Sequence, residues 1–302
     1  MVGGRIPVIL DTDIGSDIDD MWALAMLLRS PELDLKLVVT DSGDTVYRAK
    51  IAAKMLGLDG RADVPVGIGT YLGTHPHPQG FWVEDYDLAS YPGVVHEDGV
   101  QAIIDIIMAS PEPVTLIAIG PVPNISAALE REPRIVERAR FVGMHGSLHL
   151  GYGGKQEMAA EYNVRAHPEA CRKVFDARWD VTITPLDTCG LVALQGEAYR
   201  AVYTCADPLI QALIENYQQW IGQVNWVQGV DPQQQSTVLF DTVAVYLAFA
   251  EDLLVMEDLP VRVTDEGYTV IDNQAKMIRC ATAWQDRAAF ERLLVERLTG
   301  GE

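Results

Sequence analysis

Runs of strand length, apolar on nearly every residue, alternate with segments whose apolar residues recur at helical spacing. IPVIL (6–10), LKLVVT (35–40), VPVGI (64–68), PVTLIAIG (113–120), ARFVGM (139–144) and VTITPL (181–186) read as strands. Between them, DDMWALAMLLRS (19–30), VYRAKIAAKMLGL (46–58), VQAIIDIIMAS (100–110), NISAALERE (124–132) and PEACRKVFDA (168–177) read as helices. Strict alternation of this kind predicts βαβ units. The fold class expected is α/β: an open, mostly parallel Rossmann-like sheet flanked by helices.

The last third changes rhythm. Helical stretches at 208–224 and 241–250 precede candidate strands LPVRVT (259–264), YTVID (268–272) and KMIRCATA (276–283), and a helix at 286–298 closes the chain. No repeat, low-complexity tract or flexible linker interrupts the pattern, so a single domain over 1–302 is expected. Two segments carry no periodicity: Thr70 to Asp98, rich in Pro, His, Gly and aromatics, and His145 to Ala160, rich in Gly. Long irregular segments in a compact domain are usually lids or binding loops. Both follow strands, and in an open parallel sheet ligands sit beyond the strands' carboxyl ends.

Composition narrows the classes of function. A formal net charge of −20 argues against nucleic acid or an anionic membrane surface as partner. No apolar run reaches the ~18 residues that a membrane span needs. The four cysteines, Cys171, Cys189, Cys205 and Cys280, show neither CxxC spacing nor a framework for disulfides, which favours a reducing, cytoplasmic setting.

One stretch stands out from this background. DTDIGSDIDD places five aspartates in the ten residues 11–20, where the first strand hands over to the first helix. Capping explains one or two acidic residues at a helix start, such as Asp19 and Asp20. It does not explain Asp11, Asp13 and Asp17 as well, because crowded carboxylates must take up protons or share a cation. With no His or Cys nearby, a hard, oxygen-seeking divalent ion is the better match than zinc.

With its flanking helix, this stretch resembles the N-terminal DxDxGxDD signature of the inosine–uridine-preferring nucleoside hydrolase family, with two extra residues before the closing acidic pair. Further fragments resemble the family in order: IAIGPVPNIS (117–126), FVGMHGS (141–147), AAEYNVRAHPEA (159–170) and FDTVAV (240–245). The resemblance implies a calcium-dependent enzyme that splits ribonucleosides into base and ribose in purine and pyrimidine salvage. Asp13 would be both metal ligand and general base towards a water on the ion, with Asp20, Asp241 and the Ile119 carbonyl completing the Ca²⁺ shell. Asp19, Asp44, Met144, Glu161 and Asn163 would bind the ribose, and family habit implies a homodimer or homotetramer.

The departures are specific. Asp44 stands where the family carries asparagine, Lys155 where it carries a 5′-hydroxyl-binding asparagine, and Phe240 where many members carry a histidine that protonates the leaving base. Asp17 is a carboxylate beyond the pattern. Among candidates for the base pocket are Phe240, Trp226 and Trp82; His75, His77, His96, His145 and His149 are the histidines near the irregular segments. Two other readings compete. A phosphohydrolase of the haloacid-dehalogenase type would draw its last acidic ligand from near Asp187, and a non-catalytic nucleoside- or ribose-binding relative would keep the calcium shell only.

Overall fold

The computed structural model describes residues 4–300. Ten strands form one sheet: β1 (Ile6–Thr12), β2 (Leu33–Thr40), β3 (Val66–Ile68), β4 (Val95–His96), β5 (Val114–Ala118), β6 (Ala139–Met144), β7 (Val181–Thr184), β8 (Leu254–Val263), β9 (Thr269–Ile271) and β10 (Met277–Trp284). Their order is β4-β3-β2-β1-β5-β6-β7-β10-β8-β9. The pairings from β4 across to β10 are parallel, and only β8 and β9 run antiparallel to their neighbours.

The apolar strands are explained by cover on both faces. Along β1, Val8 and Leu10 point into one core while Ile9 points into the other. A strand buried on both sides has no reason to alternate with polar residues. One face carries the helices Asp19–Leu28, Thr45–Leu58, Pro208–Trp220, Thr242–Leu247 and Arg287–Thr299; the other carries Gly99–Ala109, Pro123–Arg131 and Pro168–Asp176. Helix Asp19–Leu28 is buried from Asp19 to Leu27, which suits a helix that is apolar all round. Each fully buried Leu, Ile or Val contributes about 1.5–3 kcal/mol, so two such cores hold the sheet firmly.

Boundaries shift where polar residues hid an element. β8 begins at Leu254, not at the expected 259, because exposed Glu257 and Asp258 break its apolar pattern. The segment from Thr70 to Asp98 is not structureless: it holds the helix Gly80–Val83, a 3₁₀ turn at Leu88–Ser90 and β4, all too short for a period to register. Helix Gly196–Tyr203 was not anticipated, and the expected helix over 241–250 shrinks to Thr242–Leu247.

Topology decides where chemistry can happen. From β1 the chain winds outward through β2, β3 and β4, then returns to β5 on the other side of β1. The crossovers therefore part between β1 and β5, leaving a crevice at their carboxyl ends.

Candidate active site

The aspartate turn lies in that crevice. β1 delivers Asp11 and Thr12 to its end, and Asp13 follows beside the loop that leaves the carboxyl end of the neighbouring β5. A Cβ added to Gly120 would lie 2.8 Å from the Asp13 nitrogen and 3.0 Å from its Oδ1, so only glycine lets the two loops approach this closely. The closing acidic pair does not cap its helix: Ile18 is the N-cap residue and no side chain bonds to the free N–H groups there. Asp19 and Asp20 instead point, buried, at Asp241, and carboxylate oxygens of the three lie within 4.8 Å of one another. Oxygens sharing one cation at about 2.4 Å can be no further apart than roughly that span. Asp241 sits at the start of helix Thr242–Leu247, and its backbone N–H donates to Asp19 Oδ2 at 3.3 Å.

The turn's backbone is held from outside. Five consecutive carbonyls, from Asp13 to Asp17, each accept from a side chain of another element. Arg48 donates to Asp13 and, at 3.0 Å, to Ile14. Tyr47 donates to Gly15 at 3.0 Å, Trp220 to Ser16 at 2.9 Å and Gln79 to Asp17 at 2.8 Å. Gln79 is itself gripped by Asn216 at 3.1 Å, and its N–H donates to the Tyr47 hydroxyl at 3.0 Å. Thus the irregular segment after β3 folds over the aspartates and bonds to them. With the carbonyls occupied, the oxygens the turn still has to offer are on its carboxylates, each of which accepts few hydrogen bonds: Asp20 from Thr12, Asp17 from the Ile18 N–H and Asp19 from the Asp241 N–H.

Other predicted residues converge at the same end of the sheet. Asn163 donates to the Ile119 carbonyl at 3.1 Å and the Met144 carbonyl at 3.0 Å, tying the ends of β5 and β6 together. Glu161 N-caps the helix Tyr162–Ala166, accepting from Asn163 and Val164, and also from Gly146 at 3.0 Å. Asn124, the asparagine of the GPVPN fragment, bonds to Asp11 Oδ1 at 2.9 Å and the Thr40 carbonyl at 3.0 Å. Asp44 caps helix Thr45–Leu58 through the Tyr47 N–H and lies 3.3 Å from His77 Nε2; that ring stacks on Tyr47.

Burial without compensation sets the electrostatics. Desolvation first, and neighbouring charge second, push Asp19, Asp20, Asp41 and Asp241 well above the usual carboxylate range. Asp13 is raised by burial against the opposing pull of Arg48. Burial raises Asp11 to about 7 and Asp17 to about 6, and Glu161 to about 7 despite its backbone donors. Asp41, at the end of β2, has both oxygens buried with no hydrogen-bond partner, and so has Asp11 Oδ2. An all-oxygen, acidic, partner-poor cluster fits a hard divalent cation and fits zinc or copper poorly.

Around this centre the aromatic candidates separate. Phe240, next to Asp241, meets Tyr152 edge-on at 6.1 Å, and the Tyr152 hydroxyl accepts from Tyr162 N–H. Tyr152 lay unnoticed within the Gly-rich segment. Trp226 is exposed, meets Trp220 edge-on at 6.3 Å, and its indole also reaches the Asp17 carboxylate of the turn. Trp82 is engaged elsewhere, under the Lys54 ammonium on the outer part of helix Thr45–Leu58.

Among the histidines, His145 is removed as a proton donor: it is buried between Phe141 and Phe175, and burial pushes it down to about 3. His149 pairs with Asp187 at 3.0 Å, His96 ends β4, and His75 lies against Gly43. Lys155 is exposed, its carbonyl accepting from Gly151. Asp187 is spent on the N–H groups of Leu148, His149 and Leu150, so the phosphohydrolase arrangement is overturned: the remote acidic partner is Asp241.

Residues 8–292 match the family described as inosine-uridine preferring nucleoside hydrolase. The chain belongs to this family. Among curated relatives of this nucleoside hydrolase, the non-specific ribonucleoside hydrolase RihC of Klebsiella pneumoniae is 32% identical over 70% of this chain and 72% of its own. The pyrimidine-specific ribonucleoside hydrolase RihA of an Enterobacter species is 28% identical over 97% of both. Among solved structures, the plant nucleoside hydrolase PpNRh1 superposes with a TM-score of 0.82 at 21% identity, covering 98% of this chain and 99% of that one. A purine-preferring ribonucleoside hydrolase from Gardnerella vaginalis gives 0.78 at 22%, over 97% and 98%. The α/β sheet flanked by helices is therefore the nucleoside hydrolase fold, and this chain is an enzyme of that family.

Proposed function

We propose that this chain hydrolyses the N-glycosidic bond of ribonucleosides to a free base and ribose, with Ca²⁺ as cofactor. The observation that carries the reading is the buried oxygen cluster of Asp19, Asp20 and Asp241 beside Asp13, at the switch point of the sheet. Asp13, Asp20, Asp241 and the Ile119 carbonyl would hold the ion, and Asp19 is close enough to share it. When bound, Ca²⁺ supplies a Lewis acid that gathers the ribose hydroxyls and eases loss of a proton from water.

The chain's own residues do the rest. Asp13, which burial raises above the usual carboxylate range, takes the proton of the attacking water. Asp19 and Asp44 accept from ribose hydroxyls, with Met144 below the sugar. Glu161 and Asn163 face the ribose too, while their observed hydrogen bonds fix the loops after β5 and β6. Phe240 and Tyr152 form an apolar wall suited to a base; Trp226 lies at the Asp17 side of the turn and Trp82 stands further off, over Lys54. The reaction passes through a sugar with oxocarbenium character, so the leaving base must be stabilised without a histidine at position 240. We extend the reading to one domain acting in the cytoplasm as a homodimer or homotetramer.

The test is release of reducing sugar from a panel of purine and pyrimidine ribonucleosides, with Ca²⁺, after chelation, and with Asp13→Ala. Chelator-sensitive release that falls roughly 10²–10⁴-fold in Asp13→Ala supports the reading. Ca²⁺ uptake with no riboside cleaved would favour the binding-protein alternative instead.

A further inference from the structure

The aspartate turn is two residues longer than the DxDxGxDD pattern, and a longer turn needs more to hold it. Arg48, at the fourth position of helix Thr45–Leu58, is buried to 3% exposure directly against it. Its Nη1 donates to the carbonyls of Asp13 and Ile14, and its Nε donates to the Ser42 carbonyl at 2.7 Å. Ser42 has φ of 58°, and among the described residues it is the one non-glycine in the left-handed region. A side chain disfavours that conformation, which persists where the surroundings impose it. The guanidinium thus bolts a strained residue after β2 to the residue that follows β1.

The charge of Arg48 offsets part of the repulsion among Asp13, Asp20 and Asp41 when no cation is bound, but it does not account for the shape of the contact. Arg48 Nη2 lies 3.9 Å from Asp13 Oδ2, too long for a direct hydrogen bond. A fixed positive charge there repels any cation held by Asp13 and its neighbours. What only arginine offers is the planar fork, which reaches three carbonyls on two loops at once; a lysine ammonium is a single point.

We infer that Arg48 is a positioning residue of the hydrolase site: its fork, and not its charge, fixes the Asp13 turn in the geometry that holds the cation. The inference rests on the proposed hydrolase reading. It separates two forces that act in opposite directions. Removing the fork loosens the turn and weakens cation binding, whereas removing the charge alone would strengthen it.

The experiment compares wild type, Arg48→Met and Arg48→Lys by calorimetric titration with Ca²⁺ at one pH, and by kcat and KM on a cleaved riboside. Circular dichroism melts check that each variant is folded. Arg48→Met is expected to lose roughly 10- to 100-fold in Ca²⁺ affinity, the usual effect of losing a group that orients a ligand. Arg48→Lys should lose affinity as well, since it keeps the charge and gives up the fork. In both, kcat at saturating Ca²⁺ should fall by a larger factor than KM rises. Tighter Ca²⁺ binding by Arg48→Met would overturn the inference, as would full recovery of affinity and kcat in Arg48→Lys. If Arg48→Met does not fold, Arg48→Lys decides alone. Wild type that binds Ca²⁺ but cleaves nothing defeats the hydrolase reading only, and the Ca²⁺ titrations still judge Arg48. Wild type that does neither overturns both.

Discussion

Asp241 and Asp19 stand 222 positions apart in the chain and meet within hydrogen-bond reach. At this scale a substitution acts in opposite senses on the two states of the site. Asp241→Asn removes a buried carboxyl whose ionisation is opposed by burial and by its acidic neighbours, and should stabilise the chelated protein. Each kcal/mol corresponds to roughly 2–4 °C in Tm for a chain near this size. The same change should weaken Ca²⁺ binding by at least about 10-fold, comparable to losses seen when ligand support is removed. Melting with chelator and with Ca²⁺ checks both signs, and a Tm that falls in chelator contradicts the crowding argument. Asp13 and its neighbours were legible in the sequence because no cheap structural role accounts for such charge between two apolar segments, whereas Asp241, a lone aspartate, was legible only through the resemblance of FDTVAV to the family. Arg48, Tyr47, Gln79 and Trp220 were not legible. Their task is to donate to backbone carbonyls, and a backbone carbonyl leaves no trace in residue identity.

Elements join two demands in the proposed site: Asp44 starts a helix and is also proposed to meet the ribose. Asp44 accepts from the Tyr47 N–H at 3.1 Å, so Asp44→Ala should cost about 1 kcal/mol in stability through the lost cap. Asp44→Asn keeps a good cap and should melt within about 0.5 kcal/mol of wild type, the usual span of a mild change. Any rise in the riboside KM of the asparagine variant then reports ribose contact and not helix stability; an unchanged KM removes Asp44 from the substrate site. Strands β1, β2, β5, β6 and β7 were readable because cover on both faces makes them apolar throughout. β4 has two residues, and β8 carries Glu257 and Asp258 in its middle, so neither offers a period to detect.

For the whole molecule the sum of the buried carboxylates sets a pH dependence. In an unfolded chain these groups titrate near ~4, whereas burial holds Asp17 near about 6 and Asp11 and Glu161 near about 7. Below ~4 both states are protonated and the difference vanishes. As pH rises, the unfolded chain releases protons first, so stability is lost progressively until the folded groups ionise. In chelator, Tm is therefore expected to fall from pH 5 to pH 8; Ca²⁺ binds the ionised form and should remove most of that fall. A Tm that is level or rising over this range in chelator would contradict it. The charge of −20 hinted at this cost, but which carboxylates carry it depends on long-range contacts that no local pattern encodes.

The position of β10 bears on how the enzyme is made. This strand, from the end of the chain, lies inside the sheet between β7 and β8, and Asp241 precedes it by only a few dozen residues. Synthesis runs from the N-terminus, so the aspartates near residue 13 leave the ribosome long before the segments that enclose them. An incomplete chain therefore exposes an unpaired edge on β7 together with an acidic turn that has no counter-ligand. Stalled or shortened translation products should accordingly be prone to aggregation and clearance, and a working site becomes possible only once the chain has been made through β10.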